Sequence, residues 1–354
     1  MSLDKHRKEI DKIDADLVKL LNERAKVVVE IGKLKSGGPI YVPDREKKVF
    51  AKIAEANTGP LPDKCLQAIW RELMSGSFFL ERPLRIAYLG PEGSFSHTAS
   101  MLKFGQSVEY EAVMDIRSIF DEVSKGHCDH GVVPIENSAG GGVIETLDAF
   151  VDSRVMICAE VYMAIHHNLM ANCSLEEIEK IYSKPEVFAQ CRNWLSSTFT
   201  EAKTVAAPST AKAAQMVADE PFSAAIGSSI AAEIYGLNLI CENIEDIANN
   251  VTRFLILGKE DARPSGDDKS SILFSTAHKA GALADVLNVF KDTDVNLTNI
   301  ESRPSKKREW EYYFFADFLG HRSEEKVKNC LNEVRQHCLQ VSVLGSFPRN
   351  TKLI

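Results

Sequence analysis

The chain has 354 residues, 44% of them hydrophobic and 26% charged, with a net charge of −8. That length exceeds one hydrophobic core and calls for two or three domains, while the acidic balance argues against a nucleic-acid partner. Eight scattered cysteines without a CxxC pair, a charged N-terminus and no apolar run of 18 residues leave a soluble protein of the reducing cytoplasm as the expectation, without zinc site, disulfide framework or membrane span.

The charge is uneven. Residues 1–82 hold 16 basic against 13 acidic side chains, or +3, which leaves −11 for residues 83–354. Along the first 82 residues the apolar pattern is helical: Ile10, Ile13, Leu17, Leu20, Leu21, Val28 and Ile31 share one stripe. Gly37-Gly38-Pro39 breaks this long helix, a second starts at Pro43-Asp44 and ends by Asn57–Pro60, and a third runs from about Leu61 to Leu80. Three helices cannot bury so long a stripe alone, which predicts an intertwined homodimer or a higher homo-oligomer. Arg24 lies in the middle of the stripe. At roughly 100° and 1.5 Å per residue, Lys35 is about 20° from it and about 16 Å further along, and Arg7 is about 25 Å away. A stripe arginine needs an anionic partner, either a core carboxylate or a bound ligand.

The run R-K-E-I-D-x-I-D-x-x-L-V-x-L-L-N-E-R, then E-I-G-K-L-K and D-R-E, resembles the all-helical chorismate mutases over about 80 residues. Arg7, Arg24, Lys35, Arg45, Glu46, Ser77 and Glu81 fall on that family's substrate-contacting positions. The resemblance implies that Arg24, Lys35 and Arg45 hold the carboxylates and ether oxygen of chorismate, and that Arg7 reaches into the partner subunit's site. A Claisen rearrangement needs a folded conformer and stabilised charge on the ether oxygen, with no general base or cofactor. The family often has aspartate where Val42 stands and glutamine where Glu81 stands; Ser77 and Glu81, four residues apart, share a helix face.

From Leu84 to about residue 260 short apolar runs alternate with helices, the signature of an α/β domain. The two longer runs, near 155–165 and 252–258, read as crossings between two lobes with a cleft between them. Three strand-to-loop transitions carry polar residues: GPEGSFSHTA with Ser94 and Ser96, VPIENSAGG with Asn137 and Ser138, and NNVTRFLILG with Thr252-Arg253-Phe254. None matches a dinucleotide or ATP fingerprint. Together they resemble the prephenate dehydratases. That resemblance implies Thr252 as the catalytic hydroxyl, Asn137 and Ser138 as substrate contacts, and weaker roles for Ser94, Ser96 and Ser209. Arg253 either anchors a substrate carboxylate or pairs structurally across the lobes. Ser183-Lys184-Pro185-Glu186 stands where many relatives have a His-Pro-Gln run.

The polar stretch GKEDARPSGDDK reads as a linker. Beyond it, strand, helix, strand, strand, helix, strand predicts a βαββαβ ferredoxin-like sandwich. Gly281-Ala282-Leu283 and Glu301-Ser302-Arg303-Pro304 resemble the phenylalanine-binding signatures of the regulatory ACT domain. The expected division is 1–82 helical mutase, 84–260 two-lobed α/β dehydratase and 269–350 ACT domain. The expected function is a fused chorismate mutase–prephenate dehydratase under phenylalanine feedback, with no metal. Two alternatives are a dehydratase whose helical part only dimerises, and a non-catalytic amino-acid sensor.

Overall fold

The computed structural model describes residues 3–35, 38–305 and 312–353. Gly37 of the expected helix break and Glu311 of an expected strand lie outside the described residues. The N-terminal unit is three helices, α1 (Leu3–Lys35), α2 (Pro43–Ala56) and α3 (Asp63–Glu81), with proline in the first turn of α2. No residue of α1 is buried, and Ile10, Ile13, Leu17 and Leu20 are each at least half exposed. The unit docks on the rest of the chain through buried Tyr41, whose ring packs edge-on against Phe104 and His130.

The central unit runs β1 (Arg85–Leu89), α4 (Phe95–Phe104), β2 (Glu109–Val113), α5 (Ile116–Lys125), β3 (His130–Asn137), β4 (Gly141–Gly142), α6 (Ile144–Asp152) and β5 (Met156–Ala164). It continues with β6 (Asn168–Ala171), β7 (Lys180–Ser183), α7 (Pro185–Gln190), α8 (Arg192–Thr198), β8 (Lys203–Ala206), α9 (Thr210–Val217), β9 (Ser223–Gly227), α10 (Ser229–Tyr235), β10 (Asn238–Cys241) and β11 (Val251–Gly258). Two sheets result, one ordered β2-β1-β3-β11-β5 with β4 on β3, the other β10-β6-β9-β7-β8.

Contrary to the sequence expectation, the runs 155–165 and 252–258 do not themselves cross. Both belong to the first sheet, paired antiparallel as β5 and β11. The chain crosses just beyond their ends, at residues 165–167 and 242–250. These two short segments run side by side, with Ile165 N donating to Asn250 O at 2.8 Å and Ile244 N to His167 O at 2.8 Å. They form the hinge between the lobes. Strands β6 and β10 escape a sequence reading: β6 follows β5 after three residues without a turn signal, and β10 is four residues long with a register shift.

The C-terminal unit is β12 (Asp268–Ser275), α11 (Ala282–Asp292), β13 (Leu297–Pro304), β14 (Tyr312–Leu319), α12 (Glu325–His337) and β15 (Gln340–Pro348), with sheet order β13-β14-β12-β15. The ferredoxin-like order holds. Residues 258–269 are not a free linker, however. Ala262 is buried, its amide donates to Ser346 O at 3.0 Å, and its carbonyl lies 3.0 Å from His321 Nε2. The segment lies against β15 and the turn after β14, so packing overrides its polar composition. The sheet itself packs on β5 so closely that a Cβ at Gly345 would lie 2.1 Å from the Ile157 carbonyl.

Candidate active sites

The first constellation joins α1 to α3. Arg24 Nη1 donates to Ser77 Oγ at 2.8 Å, and Lys35 Nζ contacts Glu81 Oε2 at 3.0 Å and Oε1 at 3.2 Å. Gly32 permits the approach: a Cβ there would meet Glu81 Cγ at 3.1 Å. Glu81 is therefore not directed into solvent; its side chain is 12% exposed. Burial, then the charge of Arg45 on α2, lowers the Arg24 guanidinium below its ordinary value. Two neighbouring cations, Arg24 and Arg45, with a hydroxyl rather than a carboxylate hydrogen-bonded to Arg24, make a site that favours an anion. Glu46 is turned elsewhere, its Oε2 accepting from Tyr41 Oη at 2.9 Å and Lys103 Nζ at 2.5 Å. Arg7 is exposed and lies 3.8 Å from Asp4 on its own helix.

The second constellation lies at the hinge. Antiparallel pairing sets Thr252 of β11 opposite Asn137 of β3, so their side chains share a face. Asn137 Nδ2 donates to Thr252 Oγ1 at 2.8 Å and Asn250 Oδ1 at 2.7 Å, while its Oδ1 accepts the amides of Ala139 and Gly140, both at 2.9 Å. Ser138 Oγ accepts Val251 N at 2.9 Å and donates to Asn249 O at 3.3 Å, fastening the β3 loop to the hinge. From Asn250 the network continues through Gln190 at the end of α7 to His167, whose ring Phe95 meets edge-on at 5.6 Å. Ser94 caps α4, accepting from His97 N at 3.2 Å and donating to Leu89 O at 2.7 Å; Ser209 caps α9, accepting from Lys212 N at 3.0 Å. Ser96 is buried. Lys184 and Glu186 are exposed and 3.9 Å apart.

Arg253 requires a correction. Successive strand residues face opposite sides of a sheet, and Arg253 points away from the hinge cleft. Its Nε donates to Glu160 at 2.9 Å and its Nη1 to Asp317 of β14, and Lys269 of β12 reaches Glu160 at 2.9 Å. Buried and held by two protein carboxylates, it does not anchor a substrate carboxylate. The pairing it makes runs to the C-terminal sheet rather than across the lobes.

In the C-terminal unit Gly281 takes φ +82° immediately before α11, which begins at Ala282, and Leu283 packs against the unit's core. Glu301–Pro304 end the edge strand β13, with Ser302 and Pro304 exposed and Glu301 and Arg303 half-buried. Arg303 Nε lies 3.6 Å from Asp148 on α6. A Cβ at Gly142 would fall 2.2 Å from Glu301 Oε2, so this segment rests on the loop that follows Asn137.

The model of the family "Chorismate mutase type II" matches residues 6–82, that of "Prephenate dehydratase" residues 86–262 and that of the "ACT domain" residues 270–336. The "Bifunctional chorismate mutase/prephenate dehydratase" of Aquifex aeolicus is 43% identical over 97% of both chains. The chain belongs to this bifunctional chorismate mutase/prephenate dehydratase family. A prephenate dehydratase from Arthrobacter aurescens, solved in complex with L-Phe, is 31% identical and covers 75% of this chain and 90% of its own, with a TM-score of 0.70. GqqA, described as a quorum quenching acylase, reaches the same TM-score at 25% identity, covering 75% of this chain and 98% of its own. The fold alone therefore does not fix the chemistry. For this member of the bifunctional family, sequence reading missed Gln190, Asn250 and His167. No short motif joins three polar residues that far apart; the available signals were Asn249-Asn250, one residue ahead of the Thr-Arg-Phe run, and the paired histidines ending an apolar run.

Proposed function

We propose that this chain rearranges chorismate to prephenate in its helical domain and converts prephenate to phenylpyruvate at the hinge, inhibited by phenylalanine at the ACT domain. The domains are taken as 1–82, 84–260 and 269–350. What carries the reading is one chain holding both the Arg24–Ser77, Lys35–Glu81 cluster and the Thr252–Asn137 pair, in a family whose full-length relatives bear both names. Arg24, Lys35 and Arg45 bind chorismate in its folded conformer, and Lys35 with Glu81 faces the breaking ether bond. At the hinge, Asn137 donates to Thr252 Oγ1, leaving the Thr252 proton to point at the departing ring hydroxyl. Carbon dioxide leaves as the ring becomes aromatic. Glu301–Pro304 together with Gly281–Leu283 take the effector, supported by the L-Phe complex of the Arthrobacter relative. Feeding chorismate to the purified protein should give phenylpyruvate, suppressed by phenylalanine. Accumulation of prephenate alone, or no turnover, would overturn the reading.

The exposed stripe of α1 meets a second copy in this proposal, and Arg7 completes the partner's site. Arg7→Ala and Arg24→Ala chains, each inactive as mutase, should then complement when co-expressed. Heterodimers contain one intact site, so about a quarter of wild-type mutase activity is expected from random pairing in a two-fold dimer. No recovery, with heterodimers demonstrated by differential tagging, would place Arg7 outside the site.

Glu81→Gln places an amide donor beside the ether oxygen in place of the carboxylate that Lys35 holds. Mutase kcat/KM is expected to rise in this variant while dehydration of added prephenate is unchanged. An unchanged mutase kcat/KM would remove Glu81 from the reacting bond.

A further inference from the structure

We propose that His167 is a positioning residue of the dehydratase, fixing the direction of the hydrogen bonds that leave the Thr252 hydroxyl free to donate. The proposal rests on the reading of Thr252 as that donor. It starts from an oxygen that can only accept: His167 Nε2 lies 2.6 Å from Gln190 Oε1, so Nε2 carries a proton. His167 is 2% exposed, and burial lowers its imidazole below the ordinary histidine range, with the Gln190 contact opposing. The ring is neutral, and its Nδ1 is buried without a partner among the described residues.

The consequences run along the network. With its oxygen turned to His167, Gln190 also accepts from Asn250 Nδ2 at 3.4 Å. Asn250 must then present Oδ1 to Asn137 Nδ2. At the far end the amides of Ala139 and Gly140 fix Asn137 Oδ1 independently, so Nδ2 faces Asn250 and Thr252. The two ends agree. Were Gln190 reversed, its amino group would face the N–H of His167 and the amino group of Asn250. Asn250 would have to turn too, setting two amino groups against each other at Asn137. A side chain that donates at the Nε2 position thus orders Gln190 and Asn250 to match the direction that the loop amides set on Asn137 beside Thr252. Because His167 and Asn250 sit on the two hinge crossings, Gln190 in the second lobe and Asn137 in the first, the order is complete only when the lobes meet.

Glutamine places a donor nitrogen near the position of Nε2, whereas asparagine reaches only as far as Nδ1. His167→Gln should keep prephenate kcat within a few-fold of wild type. His167→Asn should lower it about tenfold or more, with KM nearly unchanged. Adding His167→Asn to Thr252→Ala should cost nothing further, because one acts through the other. An unchanged denaturation midpoint of the same preparations reports that the chain is folded. Equal kcat in the Gln and Asn variants, or losses that multiply in the double variant, would overturn the proposal. If Thr252→Ala alone left kcat unchanged, the reading of Thr252 would fail instead.

Discussion

Thr252→Ala is expected to lower kcat for prephenate dehydration by about 10²–10³-fold, the usual cost of one donor aimed at developing charge in a closed site. Chorismate rearrangement should continue at the wild-type rate. The hydroxyl is too weak an acid to deliver a free proton; it acts by hydrogen-bonding the departing oxygen where water is excluded. Its 8% exposure and the donation it receives from Asn137 suit that task, since an oxygen that already accepts aims its own proton outward. Thr252→Ser keeps the hydroxyl and should keep most of the rate. Arg24→Ala should do the reverse, removing mutase turnover while dehydration of added prephenate persists. No hydrogen bond or ion pair described at Arg24, Ser77, Lys35 or Glu81 reaches Thr252, Asn137 or Asn250. Steady-state assays of both reactions on each variant check this, and loss of both activities in one folded variant would contradict separate centres.

Arg253→Met is expected to destabilise the chain by about 3–5 kcal/mol, the range for breaking a buried pair and stranding its partners. Glu160 has no exposed side-chain surface, and Arg253 and Asp317 are 5% and 10% exposed. Burial opposes the Arg253 charge, yet Asp317 and Glu160 hold the guanidinium above its ordinary value. Methionine would leave Glu160 with Lys269, the hydroxyl of Tyr162 and the amide of Asn350, and Asp317 with the hydroxyl of Ser271. The denaturation midpoint should fall at neutral pH, and Arg253→Lys, which keeps the charge but loses the fork, should lie between. An unchanged midpoint would show that the network contributes little. The same network makes a chain cut near Lys259 a poor probe of phenylalanine control, because removing β12 and β14 takes away Asp317 and Lys269 and leaves Arg253 and Glu160 only each other and, for Glu160, the hydroxyl of Tyr162.

Much of this protein was legible in periodicity. The three helices, the α/β alternation and the βαββαβ order follow from where apolar residues recur, because that spacing reflects the faces an element must bury. That Arg24 and Lys35 lie on one side of α1 was legible because helix geometry is regular. Direction and partnership were not. Arg253 reads from sequence as a candidate ligand for a carboxylate, and only the docking of the C-terminal sheet on β5 supplies the two carboxylates it serves. Glu46 turns from the Arg24 group because Tyr41 and Lys103 compete for it, and Lys103 lies 57 residues away. The polar stretch after Gly258 became packed structure because β15 offered it backbone partners. The hinge network of His167, Gln190, Asn250 and Asn137 assembles residues up to 113 positions apart. Local sequence determines which face each side chain takes; which group waits opposite is decided by how the sheets and domains come together.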